Sequence, residues 1–322
     1  MEYNNRIDIE GLKTHIQQIK DELAKVIVGQ EEFINLLLTA LLADGHVLIE
    51  GVPGIAKTIT AKLLAKTVKT DFSRIQFTPD LMPADILGTS IFNVKTHEFE
   101  FHKGPIFSHF ILIDEINRSP AKTQAALFEV MEEKQITIDG EEYKMEDPFF
   151  VLATQNPVDQ EGTYALPEAQ QDRFIFKIKV DYPSLEEEIK IIENQHIRKN
   201  INPEEMVHPV LSAQELSQYK EIVQQVVVDE PIIKYIAELI HKTRNHSHLY
   251  LGASPRASLA TLNASKAYAA IQGRDFVIPD DIKAILPSVL RHRIILNPEQ
   301  EMEGFTEDSV IDMIIETIEI PR

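Results

Sequence analysis

The stretch HVLIEGVPGIAKTIT, His46–Thr60, decides how the rest of the chain is read. It reads as a short apolar strand, a glycine-bearing loop and the start of a helix. The loop, Gly51-Val52-Pro53-Gly54-Ile55-Ala56-Lys57-Thr58, nearly fits the phosphate-cradling pattern G-x-x-x-x-G-K-[ST]. A triphosphate needs several backbone N–H groups pointing inward, so the loop must curl tightly, which Gly51 and Gly54 permit. The helix that follows, with Ile59 in its first turn, adds the positive end of its dipole to an anion site. Lys57 would place a point charge on the β and γ phosphates, and Thr58 would hold Mg²⁺. Ala56 stands where the pattern has its last glycine. That exchange costs something only if the site needs a positive φ, and the residue before the lysine can enter the helix without it. A glycine turn with an exposed lysine is the bland alternative. The apolar strand before the loop and the helical spacing of Ile59, Leu63 and Leu64 after it favour a nucleotide site.

Bulk properties narrow the function. At 322 residues the chain has room for two domains and a substantial core. Acidic residues outnumber basic ones by 51 to 32, a formal net charge of −19, which weighs against DNA or RNA as the main partner. Cysteine is absent, so disulfides, zinc thiolate sites and a cysteine nucleophile are excluded. The opening MEYNNRIDIEGLK has neither the basic nor the apolar region of a signal peptide. Phe33–Ala43, the longest apolar stretch, is too short to span a bilayer. A soluble, cytoplasmic protein without membrane insertion is expected.

Outward from the loop, helical and strand patterns alternate. Leu12, Ile16, Ile19, Leu23 and Val26 follow helical spacing. The segment that ends this helix, Val26–Gln30, reads either as a terminator or, around Val28, as an edge for an adenine ring. A second helix covers Glu31 to Ala43, and Ser73–Phe77 is a short strand. Gly88–Phe107 alternates apolar and polar residues around Lys95-Thr96-His97, a hairpin pattern. Its histidines and His109 offer no carboxylate or cysteine at ligand spacing and are not read as a metal site.

Phe110–Asp114 (FILID) is a continuous apolar run suited to a buried parallel strand, and it ends in two acids. Some 55 residues after Lys57, Asp114 would hold the Mg²⁺ shell and Glu115 would orient and polarise attacking water. A helix then opens at Asn117-Arg118-Ser119-Pro120, with Ser119 as N-cap, Pro120 in first position, and Ala125, Phe128 and Met131 on the core face. Gln135–Tyr143 is a hairpin turning at Asp139-Gly140. Phe149–Thr154 is a further buried strand that delivers Asn156 where open α/β sheets bind ligands. Asn156 would hydrogen-bond the γ-phosphate or the water, or else cap a turn before Pro157. Phe174–Val180 supplies a fifth strand, preceded by Asp172 and Arg173.

After Tyr182-Pro183-Ser184 strand patterns all but vanish, which divides the chain into a nucleotide-binding α/β core over 1–181 and a linker and helical domain over 182–322. Pro231 starts a helix with Ile232, Ile233, Ile236 and Ile240 inward. Ser254-Pro255-Arg256 is a cap, a first-position proline and a cation that opposes the helix dipole. Arg256 is therefore either exposed and tolerated or held by a nearby anion. Asp280–Leu290 closes the domain.

Assembled, these motifs resemble AAA+ ATPases of the MoxR family over nearly the whole chain. The resemblance rests on GVPGIAKT (Gly51–Thr58), LIDEINRSPAKTQAALFEVMEE (Leu112–Glu133), ATQNP (Ala153–Pro157), LPEAQQDRF (Leu166–Phe174) and LGASPRAS (Leu251–Ser258). It implies a five-stranded parallel P-loop core with two β-hairpin inserts and a C-terminal α-helical lid, assembling into rings, commonly hexamers. By match of motif, Asn156 resembles sensor 1, Arg173 an arginine finger acting on a neighbour's nucleotide, and Arg256 the sensor-2 arginine. Arg118 is a second candidate for the contact between subunits. The family implies ATP with Mg²⁺ as cofactors and client proteins, often with von Willebrand factor A domains or metal centres. Three functions compete: a chaperone-like ATP-hydrolysing remodeller, a nucleic-acid motor disfavoured by the charge, and a scaffold that binds ATP without turnover, disfavoured by Glu115.

Overall fold

The structure is a computed structural model that describes residues 9–52, 54–156, 164, 166–199 and 201–321. Two helices, α1 (Glu10–Ala24) and α2 (Glu31–Leu42), precede the first strand. The apolar runs then form β1 (His46–Gly51), β2 (Phe72–Gln76), β5 (Phe110–Asp114), β8 (Phe150–Gln155) and β9 (Phe174–Val180). These make one parallel sheet in the order β2-β5-β8-β1-β9. Both faces are covered, which is why FILID carries no polar alternation: every residue of β5 is buried. The strand period of two sends Val47 and Ile49 to one apolar cluster and Leu48 to the other.

The helices of this part of the chain are α3 (Lys57–Thr67), α4 (Pro83–Leu87), α5 (Ala121–Glu133) and the short α6 (Glu168–Gln171), which buries no side chain. Two hairpins project from this core, β3 (Gly88–Asn93) with β4 (Glu98–Lys103), and β6 (Gln135–Ile138) with β7 (Glu141–Lys144). Both stand where the alternating pattern placed them, and the hydroxyl of Ser90 donates to the Asp139 carboxylate between them. Helix α5 starts one residue later than its sequence suggests. Pro120 is the N-cap and the Ser119 hydroxyl is buried without a partner. Its inner face is Gln124, Leu127, Phe128 and Met131, whereas Ala125 is exposed.

The remainder is mostly helical: α7 (Leu185–Arg198), α8 (Pro203–Met206), α9 (Ala213–Gln224) and α10 (Glu230–Arg244). A short strand β10 (Leu249–Leu251) precedes α11 (Pro255–Ile271) and α12 (Pro279–Leu290). The chain does not close at Leu290. It continues through β11 (Ile295–Leu296), paired with β10, into α13 (Pro298–Met302) and α14 (Glu307–Thr317). On α10, Ile232, Ile236 and Ile240 face inward as expected, but Ile233 is exposed and Tyr235 and Leu239 take the inner positions. One apolar cluster runs unbroken from α1 and α2 through one face of the sheet into α9–α12 and α14. The helical part therefore shares its core with the sheet. Among the described residues no helix is long and apolar enough to cross a membrane.

Candidate nucleotide site

The carboxyl ends of β1, β5 and β8 meet at a cleft of about 420 Å³. The loop after β1 wraps one side of it. Gly51 is required by packing, since a Cβ there would come within 2.6 Å of the Val180 carbonyl oxygen and 2.7 Å of Ile55 Cδ1. Gly54 is required by conformation, with φ +91°. Ala56 corrects the sequence reading: it does not slip into the helix but caps it at φ +61°, the left-handed region that glycine usually fills. A methyl side chain in that region costs about 1–2 kcal/mol, so the loop holds its curl at an energetic cost. Lys57 folds back, its Nζ donating to the Gly51 carbonyl at 2.6 Å. Burial lowers its pKa, opposed by the charges of Asp114 and Glu115.

Gly51, Gly54, Ala56, Lys57, Thr58 and Ile59 line the cleft. Val52 and Ile55 pack into the core instead, and Pro53 lies outside the described residues. Val28 is half-buried and does not line the cleft, though its neighbour Gln30 donates from Nε2 to the Ile55 carbonyl at 3.1 Å. The terminator reading fits the backbone here, where Gly29 and Gln30 both take positive φ.

Asp114 ends β5, and Glu115 follows in the left-handed region at φ 57°. That turn fixes the two acids in different settings. Thr154 on β8 bridges them, accepting from the Glu115 backbone N–H at 3.0 Å and donating to Asp114 Oδ1 at 3.3 Å. From β2, Arg74 Nε donates to Asp114 Oδ2 at 2.6 Å and Gln76 Nε2 to Glu115 Oε2 at 3.0 Å. Arg118 Nε lies 3.1 Å from the same Oε2. Arg74, Gln76 and Thr154 line the cleft and were not singled out from the sequence. The alternation of SRIQF does put Arg74 and Gln76 on one face of a strand, but only the pairing of β2 with β5 brings that face to the acids. Asn156, one residue beyond β8, completes the lining, and Pro157 lies outside the described residues.

The chain's own atoms fit a nucleotide and a hard cation. A Cβ built on Gly54 meets nothing within 4 Å, so no other side chain crowds the loop at that point. The Thr58 hydroxyl and the Asp114 carboxylate are the oxygen donors that Mg²⁺ prefers. Among the described residues there is no cluster of three or more His, Asp or Glu arranged for a metal, so any cation here would depend on phosphate oxygens as well.

Arg173 and Arg256 are not at this cleft. Arg173 immediately precedes β9, and His46 pairs with Phe174 at the amino end of the sheet. Its Nη2 lies 2.7 Å from Glu132 Oε2 at the end of α5, and its Nη1 donates to the Phe128 carbonyl. Arg256 Nη2 reaches the other oxygen of Glu132 at 2.9 Å. The loop is at the opposite end of the six-residue strand β1, some 17–20 Å away at about 3.3 Å per residue. Asp172, the sequence neighbour of Arg173, is held by Arg293 Nε at 2.6 Å.

Residues 46–176 match the model of the ATPase family associated with various cellular activities (AAA), and residues 241–314 match that of the AAA lid domain. A crystal structure of a Cytophaga hutchinsonii protein aligns at TM-score 0.90 with 44% identity, over 98% of this chain and 97% of that one. The uncharacterized protein YeaC of Bacillus subtilis is 46% identical over 97% of both chains. The chaperone MoxR1 of Mycobacterium tuberculosis is 42% identical over 97% of this chain and 85% of its own. The chain belongs to the MoxR family of AAA+ ATPases. In this MoxR-family chain the first matched region carries the loop, the acidic pair, Asn156 and Arg173, and the second carries Arg256. The five-stranded parallel sheet, the helices and the lid stand as the motifs implied.

Proposed function

We propose that this chain hydrolyses ATP with Mg²⁺ and uses the cycle to remodel or mature partner proteins. One observation carries the reading: Lys57, Thr58, Asp114, Glu115 and Asn156 converge on one cleft from the ends of adjacent parallel strands. Lys57 would leave the Gly51 carbonyl for phosphate oxygens, and Thr58 and Asp114 would hold the cation. Bound there, Mg²⁺ would neutralise phosphate charge. Gln76 and Arg118 orient the Glu115 carboxylate through Oε2, so that it can accept a proton from attacking water. Asn156 would hydrogen-bond the γ-phosphate or that water.

Arg173 and Arg256 sit at the far end of the strands, so each would serve the nucleotide of the next copy in a ring, which we take to be a hexamer. Val28 would border the adenine. We divide the chain at 181/182 into the nucleotide-binding core and the lid. The name of the M. tuberculosis relative, a chaperone, favours protein clients, and the charge of −19 disfavours a nucleic-acid motor. That those clients carry von Willebrand factor A domains is our reading of the family resemblance alone. A cytoplasmic site of action fits this reading.

Phosphate release by variants tests it. Lys57→Ala should lose ATP affinity in calorimetry. Glu115→Gln should bind ATP normally and release almost no phosphate. Arg173→Ala should bind but hydrolyse about 10³-fold more slowly, as for an arginine acting from a neighbour, and mixing it with Lys57→Ala should restore part of the rate. Normal turnover by Glu115→Gln would refute the hydrolytic reading, and a mixture as inactive as its parts would refute the contact between subunits.

A further inference from the structure

Two surfaces of this chain match in chemistry and stand apart in the fold. The first is α7, none of whose side chains is buried. Leu185, Ile189 and Ile192 fall at helical spacing on one stripe and are 73%, 47% and 64% exposed. Glu186 and Glu193 flank the stripe on one side and Glu188 on the other. A helix with this pattern ordinarily lays its apolar stripe on a partner.

The second is a groove of about 780 Å³ between α10, the start of α11 and the segment that ends α14. Ala237, Pro255 and Ile318 give it an apolar lining, and His241, Lys242 and Arg244 stand along it. Two acids, Glu238 and Glu319, also line it, Glu238 standing 3.6 Å from Lys234, so that the basic residues remain in excess. Basic residues gathered in this way are notable in a chain of net charge −19. Copies of so acidic a protein repel one another, so contact between them needs local complementarity of charge.

The two surfaces border different landmarks of the fold, the phosphate loop and Arg256. Glu187 of α7 abuts Gly29, where a Cβ would meet its Oε1 at 2.0 Å, and the next residue, Gln30, bonds the phosphate loop. The groove instead borders Arg256, since Pro255 and Ser258 on the same helix line it. We propose that α7 of one copy seats in the α10–α11–α14 groove of a second copy, apolar stripe on apolar lining and glutamates against the basic rim. The proposal rests on the reading that Arg173 and Arg256 face a neighbour's nucleotide, which would bring these two sides together.

The absence of cysteine makes the contact directly testable. Full-length Ile192→Cys and Ala237→Cys proteins, both altered at exposed positions, are mixed with ATP and Mg²⁺ and oxidised with diamide. A disulfide-linked dimer should form at least tenfold more in the mixture than with either variant alone. Lys242→Glu should weaken self-association at least tenfold in sedimentation, and adding Glu188→Lys should restore it. The proposal is overturned if the mixture cross-links no better than its parts, if Ile192→Asp assembles like the parent, or if the parent stays monomeric with nucleotide. Capture of an acidic partner peptide by the groove without cross-linking between copies would likewise replace it. A cross-link without rescue in the Arg173/Lys57 mixture keeps this contact and removes the arginine reading. Rescue without a cross-link does the reverse.

Discussion

Replacing Arg293 by leucine should unfasten the helical part from the entry of β9, next to Arg173. The Arg293 side chain is 3% exposed and Asp172, its partner at 2.6 Å, 18%. Its guanidinium also donates to the carbonyls of Asp172 at 3.1 Å, Phe174 at 2.6 Å, Ile175 at 3.1 Å and Val289 at 2.5 Å. One side chain thus ties α12 to the entry of β9. Removing one partner of a buried pair costs about 3–5 kcal/mol, because the remaining charge stays in low dielectric without compensation. At about 2–4 °C per kcal/mol for a chain of this size class, Tm should fall by roughly 10 °C in calorimetry. Arg293→Lys, which keeps the charge but loses the planar fork, should fall between the parent and leucine. A drop under about 2 °C for the leucine variant would show that the guanidinium network contributes little and refute the tie between α12 and β9.

The opposite outcome is expected at Glu132. Its ion pairs with Arg173 and Arg256 are half-exposed, worth about 0–1 kcal/mol each, so Glu132→Gln should shift Tm by only a few degrees while altering the rate of phosphate release; a large loss of Tm would contradict this. His46 is fully buried, and burial pushes its pKa down to about 4, against 6.5 when unfolded. Between those values the unfolded chain binds the extra proton, so stability is whole above pH 6.5 and declines by about 1.4 kcal/mol per unit as pH falls toward 4. Urea titrations of His46→Gln should lack this component of the slope; parallel profiles for the two proteins would refute it. Ala56→Gly should leave ATP affinity unchanged and raise stability by up to about 1 kcal/mol, since relief of left-handed strain outweighs the added freedom of the unfolded chain. A loss of stability in chemical denaturation would show that the Ala56 methyl is needed.

The strands were legible because burial on both faces leaves a plain chemical mark, as in FILID and FVLAT. The loop and the acidic pair were legible because phosphate chemistry restricts residue types at fixed spacing. Arg74, Gln76 and Thr154 were not, because their role depends on strand order, which no local pattern encodes. The Glu132 partner of Arg173 was not legible for a related reason, since it reaches Arg173 from another element, some forty residues earlier in the chain. Ile233 misled because helical spacing alone does not say how wide the buried face is. At Ala56 the expected backbone was wrong because the constraint comes from closing the loop rather than from the residue.

The separation of the phosphate loop from Arg173 and Arg256 along the strands gives the molecule two unlike ends. If those arginines serve a neighbour's phosphate loop, as proposed, a two-fold dimer, in which like meets like, cannot satisfy them; copies would then associate head to tail, and the rotation per step would decide between a closed circle and an open filament. In an open row of copies, the last phosphate loop always lacks a neighbour. Closure alone completes every site. On that reading a single defective copy would damage two junctions at once, one through its own loop and one through the arginines it offers next door. Activity in mixed populations should therefore fall faster than the fraction of intact chains.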